Sequence, residues 1–308
     1  MDDARRLGLV WVTSDPEQAL PHLRRAASNH DPLSEELVGL ILSSHADDRA
    51  YLLGQVGQAL GRSGEWQLAA WAFRQALALR PDFHEARAYL GLALDRTGGD
   101  GTRELQAAAM GDPLSPLPHL FLALHYRLSG QPARSLRELT LAAELDSENP
   151  VVLAETASTQ EALGDMEAAK AAYRAAAENA RSDPTFWLLL AEFSLTHEIE
   201  VEEVALPAAR NAAALQPSDS RAFSALGYAH FLLGHPILAE RSLRRALSLD
   251  PLDARLQLRW GLLRQMQGDL PGAYAALTLA SQLDPDGAIG EVARRTSEVL
   301  APYVSARP

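Results

Sequence analysis

Residues 221–251 read RAFSALGYAHFLLGHPILAERSLRRALSLDP, and residues 255–285 read RLQLRWGLLRQMQGDLPGAYAALTLASQLDP. Each stretch holds two runs of apolar residues at helical spacing, broken by a short turn at Gly234 or Gly268. The two stretches are one unit shifted by 34 residues: Gly227 and Gly261, Gly234 and Gly268, Ala246 and Ala280, and Pro251 and Pro285 all fall together. The same step relates Gly57 to Gly91, Gly130 to Gly164, and Ala123 to Ala157 and Ala191. A fixed period of roughly 20 to 50 residues marks a stack of small helical units, each burying its apolar face against the next.

Seven units follow from this register: 50–83, 84–115, 116–149, 150–183, 184–219, 220–253 and 254–287. Small residues such as Gly57, Gly227 and Ala157 sit where the first helix of a unit meets the second, so the two axes approach closely. Phe73, Tyr173 and Leu243 fill the gap toward the next unit. Gly64, Gly130, Gly164, Gly234 and Gly268 are expected to end first helices in the left-handed conformation. Pro81, Pro217, Pro251 and Pro285 are expected to stop second helices. The unit at 84–115 is two residues short around Gly98-Gly99-Asp100-Gly101, and the unit at 184–219 is two residues long around His197 to Glu203. Both changes fall at the turn within a unit, where length is tolerated.

Residues 1–49 read as a degenerate eighth unit, with Leu7, Gly8, Trp11, Ala27 and Pro32 in register, followed by an extra helix at 33–45. Residues 288–308 read as a C-terminal capping helix and tail. Ile289, Val292, Ala293, Thr296, Val299 and Leu300 are assigned to its inner face, and Glu291, Arg294, Arg295 and Glu298 to its outer face.

The order aromatic or apolar, Leu-Gly, Tyr, Ala, Phe, Ala, Pro at fixed offsets resembles the tetratricopeptide family. Leu53, Val56, Gly57, Leu60, Ala69, Phe73, Ala76 and Pro81 carry it in the first full unit. Phe223, Leu226, Gly227, His230, Ala239, Leu243, Ala246 and Pro251 carry it at 220–253, and Trp187 takes the aromatic position at 184–219. The resemblance implies an all-α fold: an α–α superhelix, or solenoid, of about seven to eight helix-turn-helix repeats in one array with a C-terminal capping helix. It also implies that first helices line a concave face on which a partner lies. Transferred to this chain, that face holds Tyr51 and Gln58; Leu120 and Leu124; Glu155 and Ser158; Leu188 and Glu192; Tyr228 and Phe231; and Leu258, Leu262 and Met266. The stripe is largely apolar, which suits an amphipathic helix or extended peptide. Some family members clamp a peptide's terminal carboxylate there with lysine, arginine and asparagine. These positions hold no lysine or asparagine, so that role is not expected.

Composition narrows the function classes. The chain has 308 residues, 47% of them hydrophobic, and no cysteine, which excludes disulfides, thiolate metal sites and cysteine nucleophiles. A formal charge of −12 argues against nucleic acid as the main ligand. Residues 150–219 carry twelve acids against four bases, whereas residues 220–308 carry eight acids against ten bases. The start, MDDARRLGLVWV, lacks a basic region followed by a long apolar run, so a cytoplasmic protein without membrane spans is expected.

No nucleophile elbow, phosphate loop, dinucleotide fingerprint or HExxH pair is present. His119 and His125 lie on different faces of one helix, His230 and His235 flank a turn, and no metal site or cofactor is expected. Glu198, Glu200, Glu202 and Glu203 read as the first turn of a helix, and the GGDG at 98–101 as a turn. The expected function is therefore a non-enzymatic scaffold or adaptor that binds a protein or peptide segment in an apolar groove. The alternatives are a self-assembling homo-oligomer and a regulatory subunit of an enzyme complex.

Overall fold

The structure is a computed structural model, and it describes residues 2–43 and 48–305. Residues 44 and 45 of the expected extra helix, and the last three of the expected tail, lie outside the described residues. The described residues form 18 α-helices and one π-helical segment. They divide into two compact units, Met1–Asp165 and Met166–Pro308.

The N-terminal unit holds α1 (Asp2–Val12), α2 (Pro16–Ala27), α3 (Pro32–Ser43), α4 (Arg49–Arg62), α5 (Trp66–Leu79), α6 (His84–Arg96), α7 (Thr102–Gly111), α8 (Pro116–Leu128), α9 (Pro132–Leu145) and α10 (Pro150–Leu163). The pairs α1–α2, α4–α5, α6–α7 and α8–α9 each fold back as a hairpin. Gly57 shows why small residues hold these joints: a Cβ there would lie 2.6 Å from the Phe73 ring. Phe73 stacks on Tyr89 with ring centres 5.6 Å apart, and Tyr89 meets Phe121 edge-on at 5.2 Å. That aromatic chain joins α5, α6 and α8, and therefore three successive repeats. Burying such rings contributes on the order of 2 kcal/mol each.

The C-terminal unit holds α11 (Met166–Asn179), α12 (Pro184–Thr196), the π-helical turn Val201–Ala205, α13 (Leu206–Leu215), α14 (Ser220–Leu232), α15 (Pro236–Leu249), α16 (Ala254–Met266), α17 (Leu270–Leu283) and α18 (Ala288–Ser305). Gly227 repeats the device of Gly57, with a Cβ there lying 2.6 Å from Leu243. Leu243 and Leu277 are fully buried between their own hairpin and the next element.

The punctuation behaves as the sequence implies. Gly64, Gly130, Gly164, Gly234 and Gly268 all have φ between 71° and 84°. Second helices α5, α13, α15 and α17 end two residues before Pro81, Pro217, Pro251 and Pro285, because the residue before proline is driven out of the helical region.

Val292 and Val299, expected on the inner face of the capping helix, are instead 49% and 65% exposed. The buried face of α18 runs through Ala293, Ser297 and Leu300, one helical step around, because α17 meets only that narrower stripe. The four glutamates at 198–203 do not make one helical turn. Glu198 and Glu200 have φ of 53° and 46°, and only Glu202 and Glu203 enter the π-helical turn.

Candidate functional site

Positions two, five and nine of a first helix lie one turn apart on one face. In the C-terminal unit this face of α12, α14 and α16 forms a pocket of about 370 Å³. Thr185, Leu188, Leu189 and Glu192 come from α12, Arg221 and Ser224 from α14, and Arg255 and Arg259 from α16.

Glu192 is its organising group. Arg259 grips it with both guanidinium arms, Nη1 to Oε1 at 2.9 Å and Nη2 to Oε2 at 2.7 Å. Arg255 Nη1 donates to the same carboxylate at 2.9 Å. Arg259 is 5% exposed; it also donates to Ser224 Oγ at 3.0 Å and lies 4.8 Å over the Tyr228 ring. Burial by itself would raise the Glu192 pKa, but the two arginines outweigh it and hold the carboxylate below its usual range. A glutamate held ionised in this way is suited to fixing helices rather than to moving protons.

The arginines differ in freedom. Arg259 is locked in place, whereas the Arg255 and Arg221 side chains are 47% and 67% exposed at the rim. Arg221 leans on Asp219, which caps α14 and keeps the guanidinium firmly charged through a hydrogen bond. The result is a rigid charged floor, an apolar wall of Leu188 and Leu189, and a rim of two ion-paired, exposed arginines beside Asp253.

The anticipated residues are distributed unevenly. Leu188 and Glu192 line the pocket, and Tyr228 lies beneath Arg259 while stacking on Phe231 at 5.6 Å. Leu258 is buried in the core, Leu262 and Phe231 pack partly against core clusters, and Met266 is 46% exposed. In the N-terminal unit Tyr51 is 47% exposed and stacks on Phe83, Gln58 donates to Glu85 at 3.0 Å, and Glu155 accepts from Arg127 at 2.9 Å. Leu120, Leu124 and Ser158 are half-buried, and Leu120 packs on two core clusters. Of the apolar positions Leu188 and Leu258 are buried, Tyr51 and Met266 are exposed and the others are half-buried, and the pocket on α12, α14 and α16 adds charged groups to them. Sequence reading missed Arg221, Arg255 and Arg259. A signal existed: Arg221 and Arg255 are 34 residues apart, at the second position of successive repeats.

Asp95, Asp100 and His125 bring possible ligand atoms within 4.8 Å of one another. Both ring nitrogens of His125 are already engaged, Nδ1 with Asp95 at 3.0 Å and Nε2 with Thr102 at 2.9 Å. The trio acts as a hydrogen-bonded lock on the GGDG turn.

Two models described as tetratricopeptide repeat match the chain, one at residues 155–198 and one at 220–251. Those two stretches are tetratricopeptide repeats. Its fold class is the all-α repeat solenoid. Over 82 residues it is 40% identical to Protein HemY of Escherichia coli K12 and to that of Shigella flexneri. That match covers 27% of this chain and spans only 20% of the length of those relatives. Among solved structures, the Cut9–Hcn1 hetero-tetramer of APC/C is similar with a TM-score of 0.64 and 16% identity, over 94% of this chain and 54% of that one. Yeast Tom70 is similar with a TM-score of 0.59 and 15% identity, over 94% and 61%. A tetratricopeptide repeat protein of Parabacteroides merdae has a TM-score of 0.58 and 14% identity, over 82% and 99%. At these identities the likeness is one of fold. The fold itself is that of a protein–protein interaction scaffold. No helix among the described residues is long and apolar enough to cross a membrane.

Proposed function

We propose that this protein is a cytoplasmic adaptor that holds a segment of another protein against the α12–α14–α16 pocket. The observation that carries the reading is the Glu192–Arg259 pair, which fixes three first helices while Arg255, bonded to Glu192, and Arg221, bonded to Asp219, keep exposed faces at the rim. A floor locked before binding reduces the ordering cost of association. The occupant would place an apolar side chain on Leu188 and Leu189 and an acidic group between the rim arginines. The overall charge of −12 favours a protein ligand over nucleic acid. The test is affinity capture from native lysate with wild type and with an Arg221→Glu, Arg255→Glu variant of unchanged helicity. Proteins recovered by wild type and lost by the variant support the reading. Equal recovery by both defeats it.

Self-assembly is favoured by a separate observation. Leu7, Val10 and Trp11 form an exposed face on α1, and Val292, Val299 and Tyr303 form one on α18. Sedimentation over a range of concentrations, with Trp11→Glu as the variant, tests it: a mass that never rises with concentration removes this alternative.

A further inference from the structure

A second pocket, of about 420 Å³, opens on the α14–α15 hairpin, and none of its lining residues belongs to the first-helix pocket. Phe223, Leu226 and His230 of α14 form one wall, and Leu238, Arg241 and Arg245 of α15 form the other. The apolar surface continues past it, since Leu238 and Ile237 are 44% and 82% exposed. His230 is only 6% exposed, and its Nδ1 has no hydrogen-bond partner. Burial, with Arg210 and His235 nearby, lowers the pKa of that imidazole. The rim is cationic: Arg245 lies 5.8 Å over the Phe223 ring, and Arg241 has no carboxylate partner among the described residues.

The next repeat lines the equivalent place with different side chains. Thirty-four residues on, Trp260 and Arg264 replace Leu226 and His230, and the Arg264 guanidinium lies 4.0 Å over the Trp260 ring. Gly272, Ala275 and Leu279 replace Leu238, Arg241 and Arg245, so the leucine that walls the groove and both of its cations are missing there. The lining of this groove is therefore not carried into the next repeat.

We propose that the α14–α15 groove is a second binding site, for an acidic amphipathic segment of a partner protein. One large apolar side chain of the segment sits on Phe223, Leu226 and Leu238, and flanking carboxylates face Arg241 and Arg245. The charge argument is local: the groove presents arginines on a chain whose total charge is −12, so an acidic partner is drawn to this patch in preference to most of the surface. The exposed continuation onto Leu238 and Ile237 fits a polypeptide better than a free small anion.

The test uses fluorescence anisotropy with a labelled helical peptide that carries leucines on one face and glutamates beside them. A matched peptide with lysines in place of the glutamates is the control. The full chain is expected to bind the acidic peptide saturably, more weakly as salt rises, and to ignore the basic one. Arg241→Glu, Arg245→Glu and, separately, Leu238→Asp should each weaken binding by about tenfold or more, with far-UV circular dichroism unchanged. Arg221→Glu, Arg255→Glu should leave this binding intact, which separates the groove from the first-helix pocket. No saturable binding, equal binding of the basic peptide, or binding retained in the Arg241→Glu, Arg245→Glu variant overturns the proposal. Loss of binding through Arg221→Glu, Arg255→Glu alone also overturns it.

Discussion

The short repeat at 84–115 and the long repeat at 184–219 depart from the common length by the same two residues, in opposite directions and at the same turn. They absorb the change by different means. The short one tightens. Gly101 N donates to Asp95 Oδ1 at 2.7 Å, Asp95 Oδ2 pairs with His125, and His125 reaches back to Thr102. A Cβ on Gly101 would overlap the carbonyl oxygen of Gly91, so only glycine lets the chain pass. The long one loosens. Glu198 and Glu200 take left-handed backbone angles and the next residues form a π-helical turn. Lys170 and Arg174 then hold Glu200 in place. A deletion leaves too little chain and must be locked by side-chain hydrogen bonds; an insertion leaves too much and is stored as local strain and a widened turn. In both, the first helix keeps its register, and in the long repeat that helix carries Glu192.

The largest effect is expected at Glu192. Glu192→Ala leaves the Arg259 charge buried without its partner, which should destabilise the C-terminal unit by about 3 kcal/mol, reduced somewhat because the Glu192 side chain is 21% exposed. Denaturant midpoints check the loss, and hydrogen exchange should place it on α12 and α16. Adding Arg259→Met should restore most of it, since no unpaired charge then remains. The pH dependence has a definite sign. The folded pKa of Glu192 lies below its ordinary value, so its contribution is complete above about pH 4.3 and fades as pH falls through the lower folded value. A wild-type advantage over Glu192→Gln that grows on acidification would contradict the assignment.

Next in size is Gly101→Ala in the short repeat. The new methyl meets backbone rather than a yielding side chain, so a loss of about 2 kcal/mol is expected by thermal unfolding. An unchanged midpoint would show that the short turn is not locked and would erase the contrast with the long repeat.

The smallest effect belongs to the long repeat. Glu198→Gly removes a left-handed glutamate and should raise stability by up to about 1 kcal/mol, offset in part by the greater freedom of glycine in the unfolded chain. A loss of stability there would mean that the insertion is not strained.

The sequence alone determined the period, the helical hairpins, the glycine turns, the proline stops and the lines of positions that face along first helices. These are legible because each rests on local rules: apolar spacing within a helix, the left-handed freedom of Gly64 or Gly234, and the constraint that a proline imposes on its predecessor. The tertiary structure decided which of those positions stay open. Leu258 and Val292 have equally apolar side chains, yet one is buried and the other exposed, because cover depends on how far the neighbouring helix reaches. The Glu192–Arg259 bond spans 67 residues and exists only because alternate helices of successive repeats lie side by side. The α14–α15 groove is lined by Leu226 and His230, where the next repeat carries Trp260 with Arg264 over its ring. Periodicity fixes a position's direction from its own helix, while burial and charge pairing arise from side chains contributed by other repeats.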